Sequence, residues 1–327
     1  MAFLCRGTRC TAKHCACDVL RGDVTVEPLC QFLSPAILAK EKIAKSDCRL
    51  SERLFERICQ MKLDIVHDRR PISENDNYNY IRPEVIQSWK RSKQYGVNYR
   101  HLNFPMLPPD VYDKLKAQKQ SLIHAAEPYL QRLNNIFQYT NCYALLTDEQ
   151  GSVMRIASRC PSRKSNYQVI NGMVINEKTI GTCSHALCIV YKAPFQLWGP
   201  EHYCQELHYC SGSSAPIFDS LGNLAGTLTI VSDDYYHQNA HTLGLVAAMA
   251  LSIQQSYQLE FNNIFLNRIF ECADQGIIAV NREGTITKIN DQALKLLAKL
   301  GISRDKATDC SLETLWGTQP AIDVAMN

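Results

Sequence analysis

The architecture of this chain can be read outward from APIFDSLGNLAGTLTIV, residues 215–231. Two apolar runs, 215–218 and 224–231, flank a polar stretch, which is the pattern of a β-hairpin. Asp219 can accept hydrogen bonds from the turn amides, and Gly222 can adopt the positive φ that such a turn needs. The segment therefore predicts two antiparallel strands.

A second hairpin pattern precedes the first. Residues 142–147 form an apolar run, residues 152–156 form another, and Asp148-Glu149-Gln150-Gly151 lies between them. Helical patterns stand before this hairpin and after the later one, and strands do not alternate with helices in βαβ order. This order predicts an α+β fold with an antiparallel sheet flanked by helices.

Four short motifs around these hairpins occur in a fixed order. They are Ile180-Gly181-Thr182, Glu201-His202-Tyr203, Ser214-Ala215-Pro216-Ile217 and the turn with Asp219 and Gly222. Together they resemble the GAF sensor module at the front of acetoin- and glycerol-responsive, sigma-54-dependent bacterial activators. The run from Arg82 to Val97 also resembles the lead-in segment of that family. The resemblance implies a signal-sensing region with a ligand pocket in its GAF domain.

Further helical patterns lie before the predicted sensor. Residues 35–65 carry apolar side chains at helical spacing among lysine, arginine and glutamate. Another helix is predicted from Pro83, which suits a first helical turn, with Val85, Ile86 and Trp89 on one face. Residues 109–137 predict a helix that packs its apolar face on the domain that follows.

A long helix is predicted for residues 241–273. Its apolar residues recur at alternating steps of three and four, with one miss at Glu260: Leu243, Val246, Ala250, Ile253, Tyr257 and Ile264. This spacing is typical of a coiled-coil seam and predicts a homodimer through residues 241–273. The alternative is that the first half of the helix covers the sheet of its own domain.

Residues 276–293 follow the order strand, turn, strand, short helix, and the run beginning Gly276-Ile277 resembles the opening of a PAS domain. The sequence ends at Asn327, before a whole sensor domain of about 100 residues is complete, so the resemblance implies an incomplete PAS domain. The predicted organisation is a Cys-rich segment (1–34), a helical lead-in (35–108), a GAF sensor (109–258), and a linker helix with an incomplete PAS domain (259–327).

Composition indicates a globular protein. The 327 residues are 46% hydrophobic and 20% charged, and the net charge of +3 gives no sign of nucleic-acid binding. No helix-turn-helix pattern with a basic recognition helix occurs, so we expect no direct contact between this chain and DNA. The N-terminus lacks the apolar run of a secretory signal, and no run is long enough to span a membrane. We therefore expect a cytoplasmic location, in which the 15 cysteines stay mostly reduced.

The GAF pocket is the expected site for a small-molecule ligand, because sensor pockets combine apolar walls with a few polar groups. We expect eight residues to bind the ligand: Glu177, Ile180, Thr182, Cys183, His185, Trp198, His202 and Cys210. Counting back from Pro216, Cys210 stands where the family usually has tryptophan, and Gly212 stands where it has cysteine. This departure predicts that Cys210 is reactive or faces the ligand.

Two groups of residues are candidate metal ligands, because thiolate and imidazole suit zinc, iron and haem. One group comprises Cys183, His185, Cys188, Cys204, His208 and Cys210, without any C-x-x-C pair. The other comprises the N-terminal Cys5, Cys10, Cys15, Cys17 and Cys30, whose spacing matches no standard zinc or ferredoxin pattern. Core packing is the alternative interpretation of the first group, and disorder that of the second.

The leading functional hypothesis is the signal-receiving region of a bacterial transcriptional regulator, in which a metabolite in the GAF pocket shifts the long helix. The phosphate-loop motif G-x-x-x-x-G-K-[ST] is absent from the sequence, so the ATPase of the family is missing and no enzyme activity is expected. One alternative is a thiol-, metal- or haem-based redox or gas sensor. Another is a GAF-type methionine sulfoxide reductase that uses pocket cysteines. The sequence identifies no cofactor.

Overall fold

The structure is a computed structural model that describes residues 48–68, 81–158, 168–233, 238–303, 307 and 311–316. The predicted N-terminal metal ligands, Cys5, Cys10, Cys15, Cys17 and Cys30, lie outside these residues, as does the first part of the predicted helix 35–65.

The elements follow the predicted order. The helices are α1 (Cys48–Val66), α2 (Pro83–Gln94), α3 (Pro109–Gln118), α4 (Gln120–Phe137), α5 (Ser184–Tyr191), α6 (Ala240–Cys272), α7 (Asp291–Lys299) and α8 (Leu312–Trp316). The strands are β1 (Cys142–Asp148), β2 (Val153–Ala157), β3 (Phe195–Trp198), β4 (Ser211–Phe218), β5 (Leu224–Ser232), β6 (Ile278–Val280) and β7 (Ile286–Ile289).

The first five strands form one antiparallel sheet in the order β2-β1-β5-β4-β3. Both predicted hairpins are present, and the α+β architecture is confirmed. In the β4–β5 turn, Asp219 Oδ1 accepts hydrogen bonds from the backbone N–H groups of Leu221 (2.9 Å) and Asn223 (2.8 Å). Gly222 has a φ of 80°. The turn chemistry read from the sequence therefore forms the hairpin.

Helices α4 and α6 cover one face of this sheet. Apolar side chains from both helices meet the strands in a first hydrophobic cluster that includes Leu122, Leu133, Leu146, Leu228, Ile230, Val246 and Ile253. Alternate residues of a strand point to the same face, and accordingly Ala144 and Leu146 of β1 and Leu228 and Ile230 of β5 enter this cluster. This face of the sheet is closed by apolar packing.

The long helix α6 matches the predicted bounds to within one residue at each end, but the predicted seam has a different role. Val246, Ala250 and Ile253 are at most 1% exposed and lie in the first cluster, against which Tyr257 also packs. The interpretation that the first half of the helix covers its own sheet is confirmed. Val246, Ala250 and Ile253 are therefore not available for a seam with a second chain, whereas Ile264 is 42% exposed and a homodimer through residues 241–273 stays a prediction.

Residues 109–137 form two helices instead of the single predicted one. Lys119, with φ −101° and ψ 14°, separates α3 from α4. Helix α3 has no buried residue, whereas α4 buries seven, including Leu122 and Leu133. The break lets α4 lie along the sheet while α3 stays at the surface.

The opposite face of the sheet is covered by α5, by residues 168–183 and by the lead-in helices α1 and α2. A second hydrophobic cluster joins the lead-in to the sensor through Leu54, Ile58, Val85, Trp89, Leu187, Phe195 and Leu197. A third cluster contains Leu145, Val153, Ile175, Ile180 and Cys183. Helices α1 and α2 therefore share a core with the sheet domain.

At the C-terminal end, β6 and β7 form an antiparallel pair followed by α7, which is the predicted strand, turn, strand and helix. Asn290 caps α7, since its side chain accepts a hydrogen bond from the N–H of Ala293 at 2.9 Å. Among the residues that the structure describes, no helix combines the length and the apolar content needed to cross a membrane.

Candidate functional site

The Ile180-Gly181-Thr182 and Glu201-His202-Tyr203 motifs lie directly against each other. Gly181 has a φ of 76°, and a β-carbon at this position would lie 2.7 Å from Cβ of Tyr203. The backbone N–H of Tyr203 donates to the carbonyl oxygen of Thr182 at 3.1 Å. A side chain at position 181 would therefore be strained and would collide with Tyr203, so the contact between the two motifs requires glycine at this position.

Glu177, one of the expected ligand-binding residues, pairs with Arg91 of α2. Nε and Nη2 of Arg91 each lie 2.8 Å from a carboxylate oxygen of Glu177. The hydroxyl of Ser88 donates to the same carboxylate. The Glu177 side chain is 7% exposed. This bidentate pair is the strong form of an ion pair and attaches the lead-in to the sensor.

Thr182, the second polar residue expected in the pocket, also contacts α2. Its Oγ1 lies 2.8 Å from Oγ of Ser88 and 3.3 Å from Oγ of Ser92. All three side chains are fully buried. Four residues join α2 to the sensor, and we call them the junction: Ser88, Arg91, Glu177 and Thr182.

A buried lysine of α1 extends this attachment. Lys62 is fully buried, and its Nζ donates to the carbonyl oxygen of Pro200 at 2.8 Å and to that of His202. It also lies 2.6 Å from Nε2 of His208. Burial lowers the pKa of Lys62 to about 7. No sequence pattern identified this residue, because lysine on a helix is ordinarily exposed.

His202 and His208 are neutral in this setting. Burial lowers the pKa of His202 to about 4, and burial together with Lys62 lowers the pKa of His208 far below its usual range. Nδ1 of His202 lies 2.9 Å from the carbonyl oxygen of Gly199 and therefore donates to it. His202, which was expected to bind the ligand, thus orients the segment whose carbonyl oxygens accept hydrogen bonds from Lys62.

Trp89 and Trp198 both lie in the second cluster. The indole N–H of Trp89 donates to the carbonyl oxygen of Glu201 at 2.7 Å, and Trp89 is fully buried. Trp198, which was expected to bind the ligand, is 7% exposed, and its backbone N–H donates to Oε2 of Glu201 at 2.9 Å. Both aromatic rings contribute to the packing of the lead-in on the sensor.

Ile180, Cys183 and His185 lie in or beside the third cluster, under the α5 face of the sheet. Nε2 of His185 lies 2.6 Å from the carbonyl oxygen of Ile175. Burial lowers the pKa of His185 to about 4, so the neutral ring donates this hydrogen bond. Cys183 immediately precedes α5, and burial raises its pKa.

Cys210 is 4% exposed, and its thiol donates to the carbonyl oxygen of Leu207 at 3.2 Å. Burial raises the pKa of Cys210 to about 12, so the thiol is protonated. A buried, protonated thiol disfavours the first of the two predicted alternatives, that Cys210 is reactive, whereas the second, that it faces the ligand, stays a prediction. At Gly212, a β-carbon would lie 2.6 Å from Oγ of Ser184. The glycine thus leaves room for a hydroxyl group that packs on the sheet.

That hydroxyl belongs to a row of serine and threonine side chains on the α5 face of the sheet. Oγ of Ser214 lies 2.9 Å from Oγ of Ser184 and 2.8 Å from Oγ1 of Thr229. Further along, Oγ1 of Thr147 lies 2.7 Å from Oγ1 of Thr227. These five residues, at most 2% exposed, are called the hydroxyl row.

The hydroxyl row was missed in the sequence, although a signal was present. Thr227 and Thr229 are two residues apart and so share one face of β5, and Ser214 pairs with Thr229 across the sheet. Apolar neighbours on this face include Leu145, Val153, Ile156 and Val231. The arrangement combines an apolar surround with several neutral groups that both donate and accept hydrogen bonds.

The candidate metal ligands at 183–210 are not assembled into a site. Within the described ranges, there is no group of three or more His, Cys, Asp or Glu side chains that could hold a metal ion. Cys183 lies beside His185 at 3.6 Å, whereas His208 lies beside Cys59 at 3.7 Å. The metal interpretation of this group is therefore wrong, and that of the N-terminal cysteines stays a prediction.

Comparison with known proteins finds no matching protein-family model. A "Signal-transduction and transcriptional-control protein" of Clostridium beijerinckii is 26% identical over 67% of this chain and 36% of its own length. The "Glycerol metabolism operon regulatory protein" of Citrobacter freundii is 24% identical over 65% of this chain and 34% of its own length. The "Acetoin dehydrogenase operon transcriptional activator AcoR" of Bacillus subtilis (strain 168) is 26% identical over 54% of this chain and 29% of its own length. The chain spans about a third of the length of these relatives.

Among solved structures, the crystal structure of the E. coli DhaR(N)-DhaL complex is similar, with a TM-score of 0.55 and 20% sequence identity. The likeness covers 71% of this chain and 81% of that chain. It shows a shared α+β fold with an antiparallel sheet flanked by helices. The similar curated proteins are named as transcriptional regulators and not as enzymes.

Proposed function

We propose that this chain is the signal-receiving region of a sigma-54-dependent type of bacterial transcriptional regulator. Residues 109–258 form its GAF sensor, residues 259–327 a linker helix with the start of a PAS domain, and residues 1–34 and 35–108 the N-terminal segment and lead-in. The order of the motifs and the regulators named among its relatives support this assignment. The second hydrophobic cluster supports treating α1 and α2 as part of the sensory unit.

The proposed signal is a small uncharged metabolite that binds between the sheet and α5. The hydroxyl row carries this proposal, because Ser184, Ser214 and Thr229 now hydrogen-bond to one another. The same hydroxyl groups can replace these bonds with hydrogen bonds to the alcohol or carbonyl groups of a ligand. Of the eight expected residues, Ile180, Cys183 and His185 lie beside this face, and we propose that they line the site. Glu177 and Thr182 support the site indirectly by holding the lead-in.

A hydrogen-bonded path leads from the sheet to the start of α6. Nε2 of Gln238 donates to the carbonyl oxygens of Ser211 (3.0 Å) and Ile230 (2.9 Å) in neighbouring strands. Nε2 of Gln196 in β3 donates to the carbonyl oxygen of Asn239 at 2.8 Å. Asn239 is the N-cap of α6 and accepts from two N–H groups of its first turn. A ligand-induced shift of the strands would therefore move α6, which is the proposed output.

The test is thermal unfolding of the purified chain with increasing glycerol, acetoin and dihydroxyacetone. A ligand that binds only the folded state stabilises it by about 2.7 kcal/mol at 100 times its Kd, and the effect follows a saturable dose response. Glycerol 3-phosphate is the matched control, because a charged group has no counter-ion in the hydroxyl row. Absence of a saturable shift with every uncharged compound would contradict the proposal.

The redox and haem alternatives are separated by one absorbance spectrum of the protein as purified. The metabolite proposal expects no visible absorption band, whereas bound haem or an iron–sulfur cluster would produce one. A turnover assay with a thiol donor tests the reductase alternative. Burial raises the pKa of Cys183 and of Cys188, which disfavours the thiolate that such a reaction requires, so we expect no turnover.

A further inference from the structure

A thiol, an imidazole and an amine lie in a row where α1 contacts the sensor. Sγ of Cys59 lies 3.7 Å from Nδ1 of His208, and Nε2 of the same ring lies 2.6 Å from Nζ of Lys62. Cys59 and Lys62 belong to α1, whereas His208 follows Lys62 by 146 positions. We call Cys59, His208 and Lys62 the relay. A nucleophile beside a histidine that a third group orients is the arrangement of an activated cysteine.

The partners of Lys62 allow two arrangements of the protons. Its Nζ has three neighbours, which are the carbonyl oxygens of Pro200 and His202 and the imidazole of His208. A charged lysine donates to all three. A neutral lysine donates to the two carbonyl oxygens and accepts from Nε2–H of His208, so that Nδ1 can accept the proton of Cys59. Because both arrangements satisfy every partner, a proton can pass from sulfur to Lys62 without leaving a buried group unpaired.

The ring of His208 is oriented for this transfer. Phe55 and Tyr99 contact it edge-on, with ring centroids 5.9 Å and 6.4 Å away. Burial together with Lys62 lowers the pKa of His208 far below its usual range, so the ring stays neutral. A neutral imidazole still passes a proton, because it can release the proton of one ring nitrogen while the other nitrogen accepts one.

Cys59 also differs from most other cysteines in its access to solvent. Of the cysteines that the structure describes, Cys59 is half-buried and Cys272 is exposed, whereas the others are buried: Cys142, Cys183, Cys188, Cys204 and Cys210. Cys59 therefore combines access from solvent with a neighbouring proton acceptor. Cys272 offers an exposed thiol for comparison.

We propose that Cys59 is a site of oxidation by small hydroperoxides, with His208 taking the thiol proton and Lys62 receiving it through the imidazole. The thiol is half-buried beside aromatic rings, so a small uncharged oxidant suits the site better than a bulky or charged one. This inference goes beyond the proposed function, because it needs neither the hydroxyl row nor a bound metabolite.

The reaction with hydrogen peroxide balances within the relay. Sulfur of Cys59 attacks one peroxide oxygen, so a sulfur–oxygen bond forms and the oxygen–oxygen bond breaks. The thiol proton passes to Nδ1 of His208 while the proton on Nε2 passes to neutral Lys62. The departing hydroxide takes the proton back from Nδ1, and Lys62 returns its proton to Nε2. Sulfur loses two electrons to the peroxide, and the products are a sulfenic acid and water.

The groups around the relay determine the pH at which it works. The titratable and charged side chains that face it are Glu56 of α1, Tyr99, and Glu201, His202 and Cys204 of the sensor. Burial raises the pKa of Cys59, so the thiol is protonated at neutral pH and needs a base. Burial lowers the pKa of Lys62 to about 7, although Cys59, Cys204 and Glu201 oppose this shift. Lys62 can therefore accept a proton near neutral pH, where general bases are most effective.

The first experiment treats the full chain with hydrogen peroxide and dimedone, which traps sulfenic acid, and follows each cysteine by peptide mass spectrometry. We expect labelling of Cys59 to be at least about 10-fold faster than that of the more exposed Cys272, because only Cys59 has the relay. The rate at Cys59 should rise between about pH 6 and 8, as Lys62 loses its proton. These measurements need no variant. A Cys59 that reacts no faster than Cys272 would overturn the proposal.

His208→Gln removes the relay and keeps a polar side chain. We expect labelling of Cys59 to slow by at least about 10-fold and its rise with pH to move above about pH 8, because the thiol must then ionise without a base. His101→Gln is the matched control, since His101 is 70% exposed and pairs with Glu206 at 3.3 Å, and it should leave the rate unchanged. If His208→Gln keeps the fold by circular dichroism and the wild-type rate and pH profile, the relay does not activate Cys59.

Discussion

The junction and the hydroxyl row are two polar regions on the same face of the sheet, but they differ in chemistry. The junction joins Arg91 and Glu177, which are 86 positions apart in the sequence, through a charged bidentate pair. The hydroxyl row joins neutral side chains of the sheet and α5, such as Ser184 and Ser214. Charged hydrogen bonds are about twice as strong as neutral ones. The hydrogen bonds of the junction should therefore stay in place, whereas those of the hydroxyl row are more easily replaced by bonds to a ligand.

This difference explains the distribution of the motif residues. Thr182 and His202, which belong to the motifs that resemble the family, support the lead-in through Ser88 and Lys62. Most of the hydroxyl row lies outside these motifs, with Thr147 on β1, Ser184 on α5, and Thr227 and Thr229 on β5. Ser214 of β4 is the one residue that belongs both to a family motif and to the hydroxyl row.

The largest expected effect comes from removing the aromatic anchor beside the junction. Trp89→Ala should lower the free energy of unfolding by about 3–5 kcal/mol, because it empties a fully buried site and removes the indole N–H that donates to the carbonyl oxygen of Glu201. Urea denaturation of the full chain measures this loss. Tyr95→Ala is the control. Tyr95 directly follows the same helix and is 45% exposed, so its truncation should have little effect on the free energy of unfolding. A loss below about 1 kcal/mol for Trp89→Ala would mean that the lead-in is not part of the core.

A smaller loss is expected from breaking the ion pair of the junction. Glu177→Ala should lower the free energy of unfolding by about 1–3 kcal/mol, because Arg91 and Ser88 lose a shared acceptor. A double-mutant cycle with Arg91→Ala isolates their coupling. Asp110→Ala is the control, since its pair with Lys114 is exposed and 4.0 Å long. Additive effects of the two junction variants would show that the pair does not hold the lead-in.

The buried lysine beside the junction should make stability depend on pH. Lys62 has a pKa of about 7 when folded, against 10.5 ordinarily, so between these values the unfolded chain binds the extra proton. The unfolding free energy therefore rises with pH across this window, by up to about 1.4 kcal/mol per unit, and is unaffected by Lys62 below it. Denaturation of the wild type and of Lys62→Met is measured between about pH 6 and 9, which includes the folded pKa of about 7. The two proteins should differ in how their unfolding free energy changes with pH. Parallel pH profiles for the two proteins would rule out this contribution.

The smallest effect on stability is expected in the hydroxyl row. Ser214→Ala should cost only about 1 kcal/mol, because the neutral hydroxyls of Ser184 and Thr229 lose one partner and can pair with other groups. Ser220→Ala in the exposed turn is the control and should leave the urea midpoint unchanged. A loss as large as that of Trp89→Ala would make the row a structural element like the junction.

Local features of the fold could be predicted from the sequence. The hairpin at Asp219 and Gly222 follows from turn chemistry, and the length of α6 follows from its helical pattern, because both depend on neighbouring residues. The break at Lys119 could not be predicted, since the apolar spacing continues across it. The apolar stripe of α6 likewise allowed two roles, a seam or a cover for the sheet, and only the position of the sheet shows that its first half is buried within the domain.

The candidate site was predicted only in part. Burial of Ile180, Cys183 and His185 on the α5 face agrees with their expected surroundings, although their contact with a ligand stays a prediction. The role of Glu177 depends on Arg91, a distant residue that no local pattern pairs with it. Lys62 was missed for the same reason, because its acceptors are backbone oxygens of a distant segment.

Ligand binding by two variants tests the division between junction and row most directly. The thermal stabilisation of the wild type by the best uncharged compound is compared with that of Glu177→Gln and Ser214→Val. We predict that Glu177→Gln keeps the wild-type Kd within a few-fold, whereas Ser214→Val weakens binding at least tenfold, about 1.4 kcal/mol. Loss of binding in Glu177→Gln with full binding in Ser214→Val would contradict the account.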